Sequence, residues 1–154
     1  MGTCMAIGRV ISLSLVTGCL LAVSVTAFAQ GTPPAAPAPG ALDIAGFRDK
    51  VQPLFLDKKP GFARCYVCHS QGTTFRLQRL PEGRTAYNEE ETKKNLDAVR
   101  RLIAPGQPDT SRLLLMPLSH EAGGTEFHPG GKRWAAKTDP EWQRIAAWVK
   151  SAAK

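Results

Sequence analysis

From Ala41 onward the apolar residues recur at the spacing of a helix. In "ALDIAGFRDKVQPLFLDKK", Ile44, Phe47, Val51, Leu54 and Phe55 fall on one helical face. Asp43 stands where an N-cap belongs. Pro53 is expected to end or kink the helix, because proline lacks an N–H and crowds the turn before it. A second stripe, Leu96, Val99 and Ile103, runs through "NEEETKKNLDAVRRLI". Asn88, with Glu91 three residues on, reads as a capping box at its start, and Pro105-Gly106 closes it. The Glu/Lys run at its head is a solvated face. The third pattern, "TDPEWQRIAAWVKSAAK", sets Trp142, Ile145 and Val149 along one face with Trp148 beside it. Thr138 or Asp139 caps it, and Pro140 takes an early position. Between the first two helices, "TTFRLQRLPEGR" reads as a short extended piece ending at Pro81. After the second, "PGQPDTSRLLLMPLS" is a turn followed by a short apolar segment. The elements predict an all-α domain with long loops over residues 41–154, without internal repeats.

Ahead of that domain the pattern changes twice. Arg9 is followed by "VISLSLVTGCLLAVSVTAFA", which carries no charge and ends in small residues at Ala27 and Ala29. A basic start, an apolar run and a small-residue site describe a secretory signal peptide over residues 1–29, cut most simply after Ala29. Two alternatives stay open. "VTGC" resembles a lipoprotein processing site, although apolar residues continue beyond Cys19. An uncleaved anchor is the other, since roughly 20 apolar residues can span a bilayer. All three export the remainder, which is expected in the periplasm, free or held at the inner membrane by an uncleaved N-terminus. Residues 30–40 then form a Pro/Ala-rich linker, "QGTPPAAPAPG", which cannot build a core.

Charge narrows the partners. The 154-residue chain has 20 Lys and Arg against 13 Asp and Glu, a formal charge of +7. No basic run is interleaved with aromatics, so nucleic acid is not an expected partner. A basic surface offset by an anionic cofactor or an acidic partner suits the composition better. A domain this small also needs a staple, such as a disulfide, a metal or a cofactor.

Cysteine usage points to the staple. Cys4 and Cys19 lie in the leader, leaving Cys65 and Cys68 in "ARCYVCHSQG". A disulfide between them would close a tiny loop and stabilise little. A thioredoxin-like pair expects a strand before it and a βαβ chain, and neither pattern is present. Zinc held with His120 and His128 has a spacing unlike the common zinc modules. On a helical turn, however, Cys65, Cys68 and His69 stand at i, i+3 and i+4 and share one side. C-x-x-C-H is the attachment signature of c-type haem: Cys65 and Cys68 form the thioethers and His69 is the proximal iron ligand.

A leading helix, C-x-x-C-H after it, a late Met-Pro and a closing aromatic helix together resemble a class I monohaem cytochrome c. The segment "PGQPDTSRLLLMPL…AGGTEFHPGGKRW…DPEWQRIAAWV" is similar to cytochrome c-like domains of exported bacterial proteins. The resemblance covers residues 41–154 and implies a small helical fold around one covalent haem c. It also implies that the first and last helices cross, with Gly46 and Phe47 against Trp148. The stretch from His69 to Met116 is longer than in the smallest members of that family.

The ligand on the iron's other face decides the chemistry, because an open site binds small molecules and a closed one passes electrons. Met116, the only methionine of the exported part, is the expected distal ligand. Pro117 after it favours an extended backbone, and the resemblance implies that presentation. Met116 could equally continue the apolar run Leu113-Leu114-Leu115 into the core. His128, in the glycine-rich "GGTEFHPGG", is the alternative, and His120 has least support. Lys132 and Arg133, with Arg76 or Arg79, are candidates for the haem propionates or plain surface charge. The expected function is electron transfer between redox protein partners, with no catalytic residue. The alternatives are a haem enzyme or gas-binding domain with an open distal site, and a haem subunit of a larger oxidoreductase.

Overall fold

The computed structural model describes residues 41–62 and 64–152. The leader and the linker fall outside them. The described residues are all-α: α1 (Ile44–Gly46), α2 (Gln52–Leu56), α3 (Cys65–His69), α4 (Glu89–Arg100), α5 (Arg112–Leu115) and α6 (Pro140–Ser151). Short 3₁₀ turns at Pro108–Thr110 and His120–Ala122 lie among the connections. Among the described residues there is no strand, only an isolated bridge between Leu118 and Trp134, and no helix long and apolar enough to cross a membrane.

Asp43 starts the first helical stretch, its carboxylate accepting from the N–H groups of Ala45 and Gly46 at 2.9 and 2.8 Å. Pro53 does not end it. Phe47–Val51 is wound as a π-helix between α1 and α2, and the chain stays helical to Leu56. A π-turn widens the ring by one residue, which accommodates the proline that follows without breaking the rod. α4 opens with the full Asn88–Glu91 capping box, worth about 1 kcal/mol. Arg84 clamps the same Glu91 carboxylate. α6 is capped by Asp139, with Pro140 in the first turn.

The core lies where the first stretch meets α6. Trp142, Ile145, Trp148 and Val149 are all buried, as are Phe47, Val51, Leu54 and Phe55. Each large apolar side chain so buried contributes about 1.5–3 kcal/mol. The Phe47 and Trp148 rings are 5.5 Å apart, and Trp148 Nε1–H donates to Asp43 O at 2.9 Å. A β-carbon on Gly46 would lie 3.2 Å from Trp148 Cδ1 and 2.5 Å from Asp43 Oδ2. The small residue therefore lets the two helices approach.

α4 joins this frame through buried polar groups. Gln52 Nε2 donates to Thr92 Oγ1 at 2.9 Å, and Asn95 Nδ2 donates to Gln52 Oε1 at 3.1 Å. Asn95 Oδ1 then accepts from the Gln78 N–H at 2.7 Å. Each amide is satisfied, so burial carries no unpaired group. On the opposite side, buried Arg133 forms a two-pronged pair with Glu141 at 2.8 and 3.0 Å, and Trp134 Nε1–H joins the same carboxylate at 3.0 Å. These bonds seat the loop after α5 on the start of α6.

Candidate functional site

α3 is five residues long, and its sequence is the CYVCH motif itself. The chain then doubles back over it. The Leu77 N–H donates to His69 O at 2.7 Å, and the Leu80 N–H donates to Tyr66 Oη at 2.9 Å. Leu77 is buried, so this return is fastened by packing as well as by hydrogen bonds. The segment opens in bends over residues 71–75 and belongs to no sheet.

The return fixes the imidazole of His69. Its Nδ1 lies 2.9 Å from Phe75 O and 3.0 Å from Thr73 Oγ1. A carbonyl can only accept, so Nδ1 carries the proton and the Nε2 lone pair is left uncommitted. Burial holds the imidazole below its ordinary pKa, the Phe75 hydrogen bond opposes that shift, and neighbouring His128 adds to it. The ring is thus neutral near pH 7. Phe75 packs on it at 4.6 Å between centroids. Phe75 in turn meets Phe55 at 6.0 Å, and Phe55 meets Phe47 at 6.2 Å. A continuous series of rings therefore runs from the helix crossing to His69.

Cys65, Cys68 and His69 all line one cavity of about 500 Å³, within the range of small-ligand and cofactor sites. Both cysteines are free thiols. Burial raises the Cys65 pKa, with Arg133 pulling the other way. The walls are apolar: Leu54 and Phe55 from α2, Phe75, Leu102, Leu113 from α5, and Ile145 from α6. Arg64, Arg101, Arg112, Lys132 and Arg133 also reach the cavity, and no carboxylate does.

No match to this chain comes from family models, characterised proteins or solved structures. What the site can do is therefore read from its own geometry.

Met116 and His128, both candidates for the distal position, line the same cavity. Their settings differ. Met116 is not extended: it caps α5 with φ −60° and ψ −46°, its N–H donating to Arg112 O at 3.0 Å. The proline after it is tolerated because the helix stops there. His128 is held like His69, its Nδ1 donating to Gly131 O at 2.8 Å. The His69 and His128 rings are nearly parallel, 15° apart in plane and 6.3 Å between centroids. His120 does not line this cavity; it sits on an adjoining depression of about 250 Å³ that also borders Met116 and His128. Among the described residues no three His, Cys, Asp or Glu converge on a metal-sized point, so the four zinc candidates are not assembled.

Of the basic residues singled out from sequence, Lys132 and Arg133 reach the cavity. Arg76 and Arg79 do not; they turn back to Gln71 O at 2.6 Å and Ser70 O at 3.2 Å. Sequence reasoning missed Arg64, Arg101 and Arg112. Only Arg64 adjoins the motif, and nothing in the local pattern of the other two distinguishes them from solvated charge.

A haem is chemically suited to this site. Two thiols and an imidazole with a free Nε2 stand on one helical turn. The walls are apolar, and the charged groups are all of the sign that would pair with carboxylates.

Proposed function

We propose that this chain is an exported monohaem c-type cytochrome that passes electrons between redox proteins. One observation carries this reading. Cys65, Cys68 and His69 share a single cavity whose walls are apolar and whose five ionic groups are all cationic. The crossing of Gly46 and Phe47 with Trp148 supports a cytochrome c-like arrangement of the first and last helices.

In this reading Cys65 and Cys68 would hold the haem through thioethers, each formed by adding a thiol S–H across a haem vinyl group, and His69 would hold its iron through Nε2. The bound haem supplies one-electron exchange between ferric and ferrous iron. The chain's own residues orient and insulate it. The Phe75 carbonyl fixes which nitrogen of His69 carries the proton, and hydrogen bonding of this kind raises the basicity of the ligand. Leu54, Phe55, Phe75 and Leu113 exclude water. Arg64, Arg101, Arg112 and Lys132 would offset the charge of the propionates, while Arg133 is already paired with Glu141. No side chain is required to donate or remove a proton. The leader directs the domain to the periplasm, and the basic surface suits an acidic redox partner.

The test is spectroscopic. The full chain, produced in a bacterium able to attach haem c, should purify red. Pyridine extraction should give the spectrum of a doubly thioether-linked haem, and the protein should titrate reversibly as a one-electron couple. A colourless folded protein, or haem removed by acid-acetone, would sink the reading. Rapid, tight carbon monoxide binding would favour the gas-binding alternative.

A further inference from the structure

We infer that His128, not Met116, is the second axial ligand, so that the iron is held between two imidazoles. This inference rests on the haem reading above and sharpens it.

Three observations converge on His128. First, its ring stands nearly parallel to that of His69 at 6.3 Å between centroids, within 15°. The spacing fits two imidazoles on one metal, whose centroids are about 6.3 Å apart; turning both Nε2 edges toward it is left to binding. Second, both rings are anchored the same way. Each gives its Nδ1–H to a main-chain carbonyl, Phe75 O for His69 and Gly131 O for His128. That leaves both Nε2 lone pairs uncommitted, as expected of metal-ligating histidines with an outer hydrogen bond. Third, the loop is shaped to the ring. Gly131, at φ 72°, returns its N–H to His128 O at 2.8 Å. A β-carbon on Gly130 would come within 3.2 Å of His128 Cε1, so glycine lets the backbone close against the imidazole.

Met116 has none of these supports. Its backbone is helical, where the resemblance implies an extended one, and it lines the cavity from the end of α5. There it serves as an apolar lining residue next to the cofactor, a role that suits a flexible thioether.

The experiment compares the purified haem-loaded full chain with three variants: His128→Ala, His128→Met and Met116→Leu. Absorption, low-temperature electron paramagnetic resonance and redox titration are the readouts, with pyridine extraction reporting bound haem. The wild type should be low-spin and lack the weak far-red sulfur-to-iron band. His128→Ala should become high-spin and return to low-spin on adding imidazole. His128→Met should gain the sulfur band and a higher potential, as methionine ligation does. Met116→Leu should keep the wild-type spectrum. A sulfur band in the wild type that disappears in Met116→Leu would overturn the assignment while leaving the haem reading standing. So would a His128→Ala protein with an unchanged spectrum. Absence of covalent haem from every sample would overturn both.

Discussion

The two arms that bring His69 and His128 to the cavity are built differently. His69 stands on a helix, and its imidazole is held by Phe75 O, six residues away on a returning segment fastened by buried Leu77. His128 stands on a loop, and its imidazole is held by Gly131 O, only three residues on, within its own turn. The first arm is tied to the core through Phe75, Phe55 and Phe47. Beside the second, Phe127 is 76% exposed. One imidazole is held by a partner fastened in the core, the other by its own local turn, at the exposed end of a loop that Arg133 and Trp134 seat on α6. Any ligand exchange is therefore expected on the loop side, because local structure opens at lower free energy than the core does.

Three perturbations would break or sharpen this contrast. The largest effect belongs to the helical arm. Cys65→Ser with Cys68→Ser should abolish covalent haem completely, so a red product after acid-acetone treatment would refute the attachment. Next, Leu77→Ala should lower unfolding stability by about 2–5 kcal/mol in chemical denaturation, as other buried leucine truncations do. It also loosens the segment that carries Phe75 O, so the His69 signals should broaden in paramagnetic NMR while those of the loop ligand hold. The smallest effect belongs to the loop. Gly130→Ala needs only a few tenths of an ångström of adjustment at His128, and a surface change of this kind should move stability by less than about 0.5 kcal/mol. Cyanide should nonetheless displace the loop ligand several-fold faster than in the wild type. Equal cyanide rates with a large loss of stability would mean that the loop, too, is anchored by the core.

The parts of this structure legible in sequence are those set by local chemistry. The Asn88–Glu91 box, the Asp139-Pro140 start and the apolar stripes of α4 and α6 each follow from residues within one or two turns. The Cys65–His69 motif is local in the same sense. The facing of His128 and His69 is not, since it depends on how the loop after α5 is seated by Ser119, Arg133 and Trp134. "HPGG" marks a turn able to hold an imidazole, without saying what it faces. Met116 was misjudged in backbone because the rule for residues before proline is a bias, and here α5 ends at that very residue. Arg101 and Arg112 were illegible because only tertiary packing separates a cavity-lining arginine from a solvated one.

The π-turn at Phe47–Val51 has a consequence for how much one helix can do. A regular helix would carry a single apolar stripe from Phe47 to Phe55, committed to one neighbour. The extra residue shifts the phase of everything after it, so that Phe47 meets Trp148 while Leu54 and Phe55 line the cavity. Winding the same residues as a plain α-helix, with none removed, would swing Leu54 and Phe55 by about 100°. The cavity would lose two of its apolar walls with no residue of the cavity replaced. The wide turn thus works as a gear tooth between the protein's core and its cavity.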